Sequence, residues 1–492
     1  MRSRSREPRT QRWAQPDGWS LFPHGLGTPR RTEWRRDPAT PAPRLDDVPS
    51  PDAGLIRDRP GRPVTDGDRR FVFGVVASML VVAVYGQRFT LPAGGVPLAL
   101  PLVGSYVAVF LLRVRGGIRY NRVRTELYVM AAGAVVVASW FSAQQGHGLS
   151  VNSLFLLLVI YLPWVFCVAS DYAVLWPRIA RLFVRLMLVA AVVGVGQMLA
   201  QIFGVWAYED YLKTFVPPDF VAQGYNTSFP MEYGSSIVKA NAFVFLEPSF
   251  LCQFLALALV VGVIVRVRSW QLLVLALGMA STLSGTGILL LVVGVALVVV
   301  RAPRLIRPAY VLAGLLGLVI VFQTPAAGFL LSRSDEASQS GSSGSLRFVQ
   351  PYTEVFAGLQ AAPVRYLVGA GPGTSDRLLE SDAGGRVGEA VVYTIAPKLA
   401  FEYGLIAAVV FMAFMLVSIL RGPPMPVLPG AVIFMLFFLS GSLLQPHTVA
   451  TAWLLTSIWG QPVTLGVSDA LAARMRQRAQ PPPAPMPLSP LR

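Results

Sequence analysis

The chain has 492 residues, 54% hydrophobic and only 14% charged, with a formal net charge of +16 and a mean hydropathy of +0.55. That balance excludes an ordinary water-soluble globular protein. Because the basic residues fall in short clusters between apolar runs, it also argues against a nucleic-acid surface.

Residues 1–70 are rich in Arg, Pro, Asp and Gly and hold no long apolar run, which predicts a disordered cytoplasmic tail. They lack the cleavage pattern of a secretory signal, and docking of the tail to anionic lipid or a partner stays open. From Phe71, window length marks twelve apolar segments, at roughly 71–87, 96–112, 125–142, 151–170, 183–204, 246–265, 270–283, 286–300, 308–324, 399–420, 427–445 and 449–467. The fold expected is all-α: a polytopic integral membrane protein of about twelve transmembrane helices, with one large extracytoplasmic loop.

Arginines test that count. They cluster at 113–124, at Arg178 and Arg181, at Arg266 and Arg268, at 301–307, at Arg421 and at 474–478, which is every second connection. By the positive-inside rule these face the cytoplasm, so both termini, including the tail 468–492, are inside. The pair flanking TLSGTG (282–287) is short, which widens the range to ten to twelve spans. Cys167 and Cys252 lie within apolar spans and are expected to be free thiols.

Two outer connections are long. Loop 205–245 carries Tyr208, Tyr211, Pro217, Pro218 and Tyr225, a composition suited to the headgroup level. Loop 323–398 opens with the flexible SRSDEASQSGSSGS. Leu346, Val349, Tyr352, Phe356 and Leu359 then recur at helical spacing, predicting an amphipathic surface helix bent or started at Pro351, with Arg347 at its head. Arg365 and the glycines 369, 371 and 373 follow, in a plain turn or one whose amides could face an anion.

The stretch KANAFVFLEPSF sets Glu247, followed by Pro248 and Ser249, at the head of the sixth apolar run. Proline is tolerated in a first helical turn, and an acid there is favoured by the helix dipole. Glu247 therefore reads either as a simple cap or as a functional acid at the outer rim. Lys239, eight residues upstream, brings a cation to the same mouth. Glu402 enters the tenth run in the same way.

F-x-EPS opening a transmembrane helix, together with G-x-G-x-G in a long outer loop and L-A-x-E-x-G-L-I at that loop's end, resembles the O-antigen polymerase and O-antigen ligase family across residues 239–420. The resemblance implies a glycosyltransferase of the bacterial cytoplasmic membrane, needing no cofactor, that polymerises or transfers polyprenyl-pyrophosphate-linked glycan units at the outer face. Two departures stand out. Tyr393 and Thr394 occupy the place of a catalytic His-Asn pair in family ligases, and Gly285 follows Ser284 where many members have arginine. The missing histidine puts polymerase ahead of ligase-like transfer to another acceptor.

Such chemistry needs cations for the departing diphosphate and one base near the acceptor hydroxyl. Preorganised charge would make a divalent metal unnecessary, and the three histidines, at 24, 147 and 447, are scattered. Glu247 and Arg347 are the catalytic candidates, Glu247 for acceptor positioning or as general base. Lys239 and Arg365 are assigned to the pyrophosphate; Tyr393, Glu402 and His447 to the substrate, with a capping role for Glu402 and an inert one for His447 as alternatives. The partners expected are a lipid-linked oligosaccharide, membrane lipid and a chain-length regulator or flippase, but no nucleic acid. A lipid-linked sugar transporter and a non-catalytic scaffold are the rival classes. No internal repeat is visible, and the polar groups lie in the outer third of the spans, which favours surface chemistry.

Overall fold

An apolar run buried away from water must satisfy each backbone N–H and C=O from within, and the α-helix does so inside one segment. The computed structural model describes residues 64–93, 96–146, 149–231, 234–322, 350–360, 363–375, 393–422, 427–439 and 442–460. Its first helices are α1 (Asp66–Tyr85), α2 (Leu100–Val114), α3 (Arg122–Gln144), α4 (Val151–Tyr161) and α5 (Trp176–Ile202). Next come α6 (Tyr211–Phe215), α7 (Pro248–Ile264), α8 (Ser269–Ser281), α9 (Gly285–Arg301) and α10 (Pro308–Phe322). The last are α11 (Gln350–Gln360), α12 (Arg365–Val368), α13 (Ile395–Leu420), α14 (Val427–Phe434) and α15 (Pro446–Ala452). Residues 435–439 and 453–457 prolong α14 and α15 in wider π-type turns.

The helical expectation is met with local corrections. Strand β1 (Thr90–Ala93) pairs antiparallel with β2 (Val96–Ala99), and β3 (Ile118–Tyr120) with β4 (Phe166–Val168). Residues 96–99 and 166–168, placed in spans by hydropathy, are therefore strand. Apolar composition alone cannot tell a short buried strand from a helix end. α1 starts inside the expected disordered tail because Thr65 and Asp68 form a reciprocal capping box. The TLSGTG pair is two helices, broken where Leu283 takes a φ of 46°.

Among the described residues, three helices are long and apolar enough to cross a membrane: Arg122–Gln144, Ser170–Ile202 and Ile395–Leu420. Helices α2, α4, α7, α8, α9 and α14 are apolar but shorter. Phe110, Met130, Trp140, Phe155 and Val192 stand exposed on α2–α5, an apolar surface of the kind that marks a membrane or partner contact.

Helix α7 is apolar all round, and nearly every residue from Pro248 to Ile264 is buried. Helix α9 approaches it closely because a Cβ at Gly287 would stand 2.4 Å from Cys252 Sγ and one at Gly294 2.3 Å from Val260. Small residues seven apart clear one face of α9 for this contact. Cys252 and Cys167 are both buried and free. At the end of the bundle away from Glu247, Arg124 is buried and donates to the Ser457 carbonyl. Trp176 Nε1 donates to Leu455 at 3.1 Å, and Val168 N to Ile458 at 2.7 Å. Arg119 and Arg421 lie near Arg124 and Cys167 in this region.

Candidate functional site

The chain before α7 is anchored by two glutamines one turn apart on α5. Gln201 exchanges two hydrogen bonds with the Val238 backbone, at 2.8 and 3.0 Å. Gln197 Oε1 accepts from the amides of Asn241 and Ala242, at 3.2 and 3.0 Å. Asn241, fully buried, donates to the Tyr208 hydroxyl and the Thr227 carbonyl and accepts from Phe243 N. Ala242 and Phe243 hold φ of 50° and 60°. For L-residues that costs roughly 1–2 kcal/mol each, which the polar anchors offset.

From the end of α1, Arg88 reaches the same turn. It is 2% exposed, donates Nη1 to the Phe243 carbonyl at 2.7 Å, and makes a bidentate pair with Asp210 through Nη2, 2.7 Å to each oxygen. Thr227 Oγ1 donates to Asp210 at 2.6 Å. Burial acts to raise the Asp210 carboxyl, but the hydrogen bonds from Thr227 and Arg88 and the Arg88 charge outweigh it and hold the group below the usual carboxylate range. A folded-state pKa below the unfolded one gives stability that is complete above the unfolded value, about 3.9, and is lost as pH falls through the folded value. Thermal midpoints of the purified protein should therefore fall on acidification below about pH 4, and fall less steeply in Asp210→Asn. Equal acid slopes for the two proteins would remove Asp210 as a contributor.

Glu247 occupies the N-cap position of α7 in extended conformation (φ −146°, ψ 157°), yet its side chain makes no capping hydrogen bond. Its carboxylate accepts instead from Ser249 Oγ at 3.0 Å, and it is half-buried. Burial, with the charge of Glu247 nearby, pushes the Tyr225 phenol up to about 12. Tyr225 packs edge-on to Phe250, 6.4 Å between centroids, and Phe250 meets the His447 ring edge-on at 4.9 Å. His447, 2% exposed, opens α15. Leu246 N leans on Gln87 Oε1 at 3.5 Å. Ser249 and Tyr225 thus stand about Glu247 at the head of α7, and the Phe250 ring links this group to His447 on α15.

Lys239 is buried, with Nζ 4.8 Å from the centroid of the Phe229 ring. It lies on the α5 side of the loop, where Val238 bridges Pro230.

A second group surrounds a break in α13. Gly404 has φ 77° and ψ 168° inside the helix, and the carbonyls of Phe401 and Glu402 are met by the amides of Ala370 and Gly371, at 2.8 and 2.9 Å. The GAGPG turn is thus a docking loop, and these two amides point at carbonyls. Glu402 is fully buried; its Oε1 accepts from Ser375 Oγ and lies 3.8 Å from Lys398 Nζ. Tyr393 is buried in a cluster with Val355, Leu359 and Phe401, so α11 and the end of the loop pack together. Arg365 is half-buried at the head of α12, directly before the docking loop.

Of the sequence-derived candidates, Glu247 stands at the head of α7 with His447 behind the Phe250 ring, Lys239 lies against Phe229, and Glu402, Tyr393 and Arg365 share the second group. Arg347 and His147 lie outside the described residues. Arg88, Asp210, Gln197, Ser249, Lys398 and Ser375 were not among the candidates. Arg88 had one signal: a lone arginine directly after an apolar run, on the side where the positive-inside pattern places none. Gln197 and Gln201 had another, since two amides four apart in an apolar helix share one face.

No protein-family model, no curated protein and no solved structure matches this chain.

Proposed function

We propose that the chain is a glycosyltransferase of the O-antigen polymerase type, set in the bacterial cytoplasmic membrane with ten to twelve spans and both termini inside. On this reading it joins polyprenyl-pyrophosphate-linked glycan units at the outer face. The observation that carries the reading is the state of Glu247, whose carboxylate turns to the Ser249 hydroxyl instead of capping its own helix. A helix cap would spend that carboxylate on an N–H; here a half-exposed acid keeps its carboxylate off the helix amides.

In the reaction, the acceptor hydroxyl gives its proton to Glu247 as its oxygen attacks the anomeric carbon of the donor, and the bond from that carbon to the pyrophosphate oxygen breaks. Polyprenyl pyrophosphate leaves with the electron pair. Lys239, Arg347 and Arg365 neutralise it, guanidinium groups by paired hydrogen bonds and the ammonium as a point charge. Lys398, paired with Glu402, serves the loop fold on this reading.

The test is complementation of a strain deleted for this gene with wild type, Lys239→Ala, Arg347→Ala and Arg365→Ala, reading surface-polysaccharide length on gels and membrane expression by blot. Short lipid-linked units persisting on the outer face, with long chains lost and expression intact, is the expected result. Lipid-linked units trapped on the cytoplasmic side in the deletion strain would mean a transporter instead. Wild-type behaviour of all three variants would remove the cation assignments.

A further inference from the structure

Ala242 and Phe243 form a left-handed turn without glycine, a conformation that L-residues leave unless their surroundings enforce it. Four residues after Phe243 the chain reaches Glu247. Gln197 and Asn241 hold the amide side of the turn. Its carbonyl side is held by Arg88, through the 2.7 Å bond to the Phe243 oxygen. Asp210 takes the other terminal nitrogen of that guanidinium with both oxygens, which leaves Arg88 no freedom to swing away. An arginine this deeply buried would be costly without its carboxylate; with it, a rigid fork directs one N–H at one carbonyl. Arg88 stands three residues after α1, so the turn is referred to that helix, while the Ala222 amide, donating to the Arg88 carbonyl at 2.8 Å, ties the same residue to the loop.

We propose that Arg88, clamped by Asp210, is a positioning residue: it holds the Ala242–Phe243 turn and so fixes where Glu247 enters the head of α7. The positioning role rests on the reading of Glu247 as acceptor base; the turn itself is tested without substrate.

The experiment is hydrogen exchange on the full chain in lipid nanodiscs, comparing wild type, Arg88→Lys, and Arg88→Lys combined with Ala242→Gly. Lysine keeps the charge but carries its donors on a single nitrogen, so it lacks the rigid fork that reaches the Phe243 carbonyl and Asp210 from separate atoms. Amides 241–247 should exchange at least about tenfold faster in Arg88→Lys, with the bodies of α7 and α13 unchanged. Glycine at 242 adopts a positive φ freely, so the double variant should recover part of the protection. Unchanged exchange in Arg88→Lys overturns the proposal, as does uniform acceleration that Ala242→Gly fails to reverse, which would make the ion pair a general stabiliser. Glycan transfer is measured on the same samples. Its absence in wild type would remove the enzymatic reading while leaving the turn assigned to Arg88; transfer that survives the loss of protection would remove the positioning role.

Discussion

On the proposed glycosyltransferase reading, Glu247→Gln should leave the protein folded and in the membrane while lowering glycan transfer by about 10²–10⁴-fold, the range for removing a positioned base. The substitution is nearly isosteric. The Glu247 side chain makes no capping bond, so the helix start loses only the interaction of the charge with the helix dipole, about 0.3–1 kcal/mol, and the amide oxygen can still accept from Ser249 Oγ. What disappears is the capacity to take a proton. Purified protein in vesicles with a lipid-linked oligosaccharide donor would give the rate directly, and a melting curve would show that the fold is kept. Ser249→Ala is the companion variant: it removes one hydrogen bond at 3.0 Å and should cost far less than the loss of the acid. A Glu247→Gln rate within about tenfold of wild type, short of the low end for a base, would leave the acid with a binding role at most.

Gly404→Ala is expected to detach the docking loop. The position combines φ 77° and ψ 168°, a region essentially reserved for glycine that costs other residues roughly 1–3 kcal/mol. An added Cβ would also stand 2.3 Å from the Leu367 carbonyl oxygen. That neighbour is backbone and cannot swing aside, so α12 must move and take the amides of Ala370 and Gly371 from their carbonyls. The consequence reaches Glu402, whose Ser375 partner arrives on the same loop. Protease sensitivity confined to residues 363–375, with a lowered melting temperature, is the expected outcome. Gly133→Ala is the control: an exposed glycine in α3 with nothing within 4 Å, where alanine should stabilise the helix by about 0.5–1 kcal/mol. Equal stability of the two variants would mean that the break in α13 is not held by its glycine.

The helical character of this chain was legible because it follows from composition and run length: an apolar segment without charges has few ways to satisfy its backbone other than α-helix. Glu247-Pro248 at a helix head was legible too, since proline's fixed φ and missing N–H suit the first turn, and α7 does begin at Pro248. Helix boundaries were less so. Residues 96–99 and 166–168 are apolar yet strand, because pairing decides that choice: with the hairpin neighbour 90–93 for the first, and with the distant 118–120 for the second. The character of each acid was not legible at all. Glu247 and Glu402 looked alike in sequence, each entering an apolar run. Only packing made one half-exposed beside Ser249 and sealed the other between Lys398 and Ser375. Arg88 and Asp210 are 122 residues apart, and no local pattern joins them. Sequence determined which segments coil and where charge can sit along them; tertiary structure decided which buried charges find each other, since a desolvated ion is tolerable only beside a partner that the rest of the chain delivers.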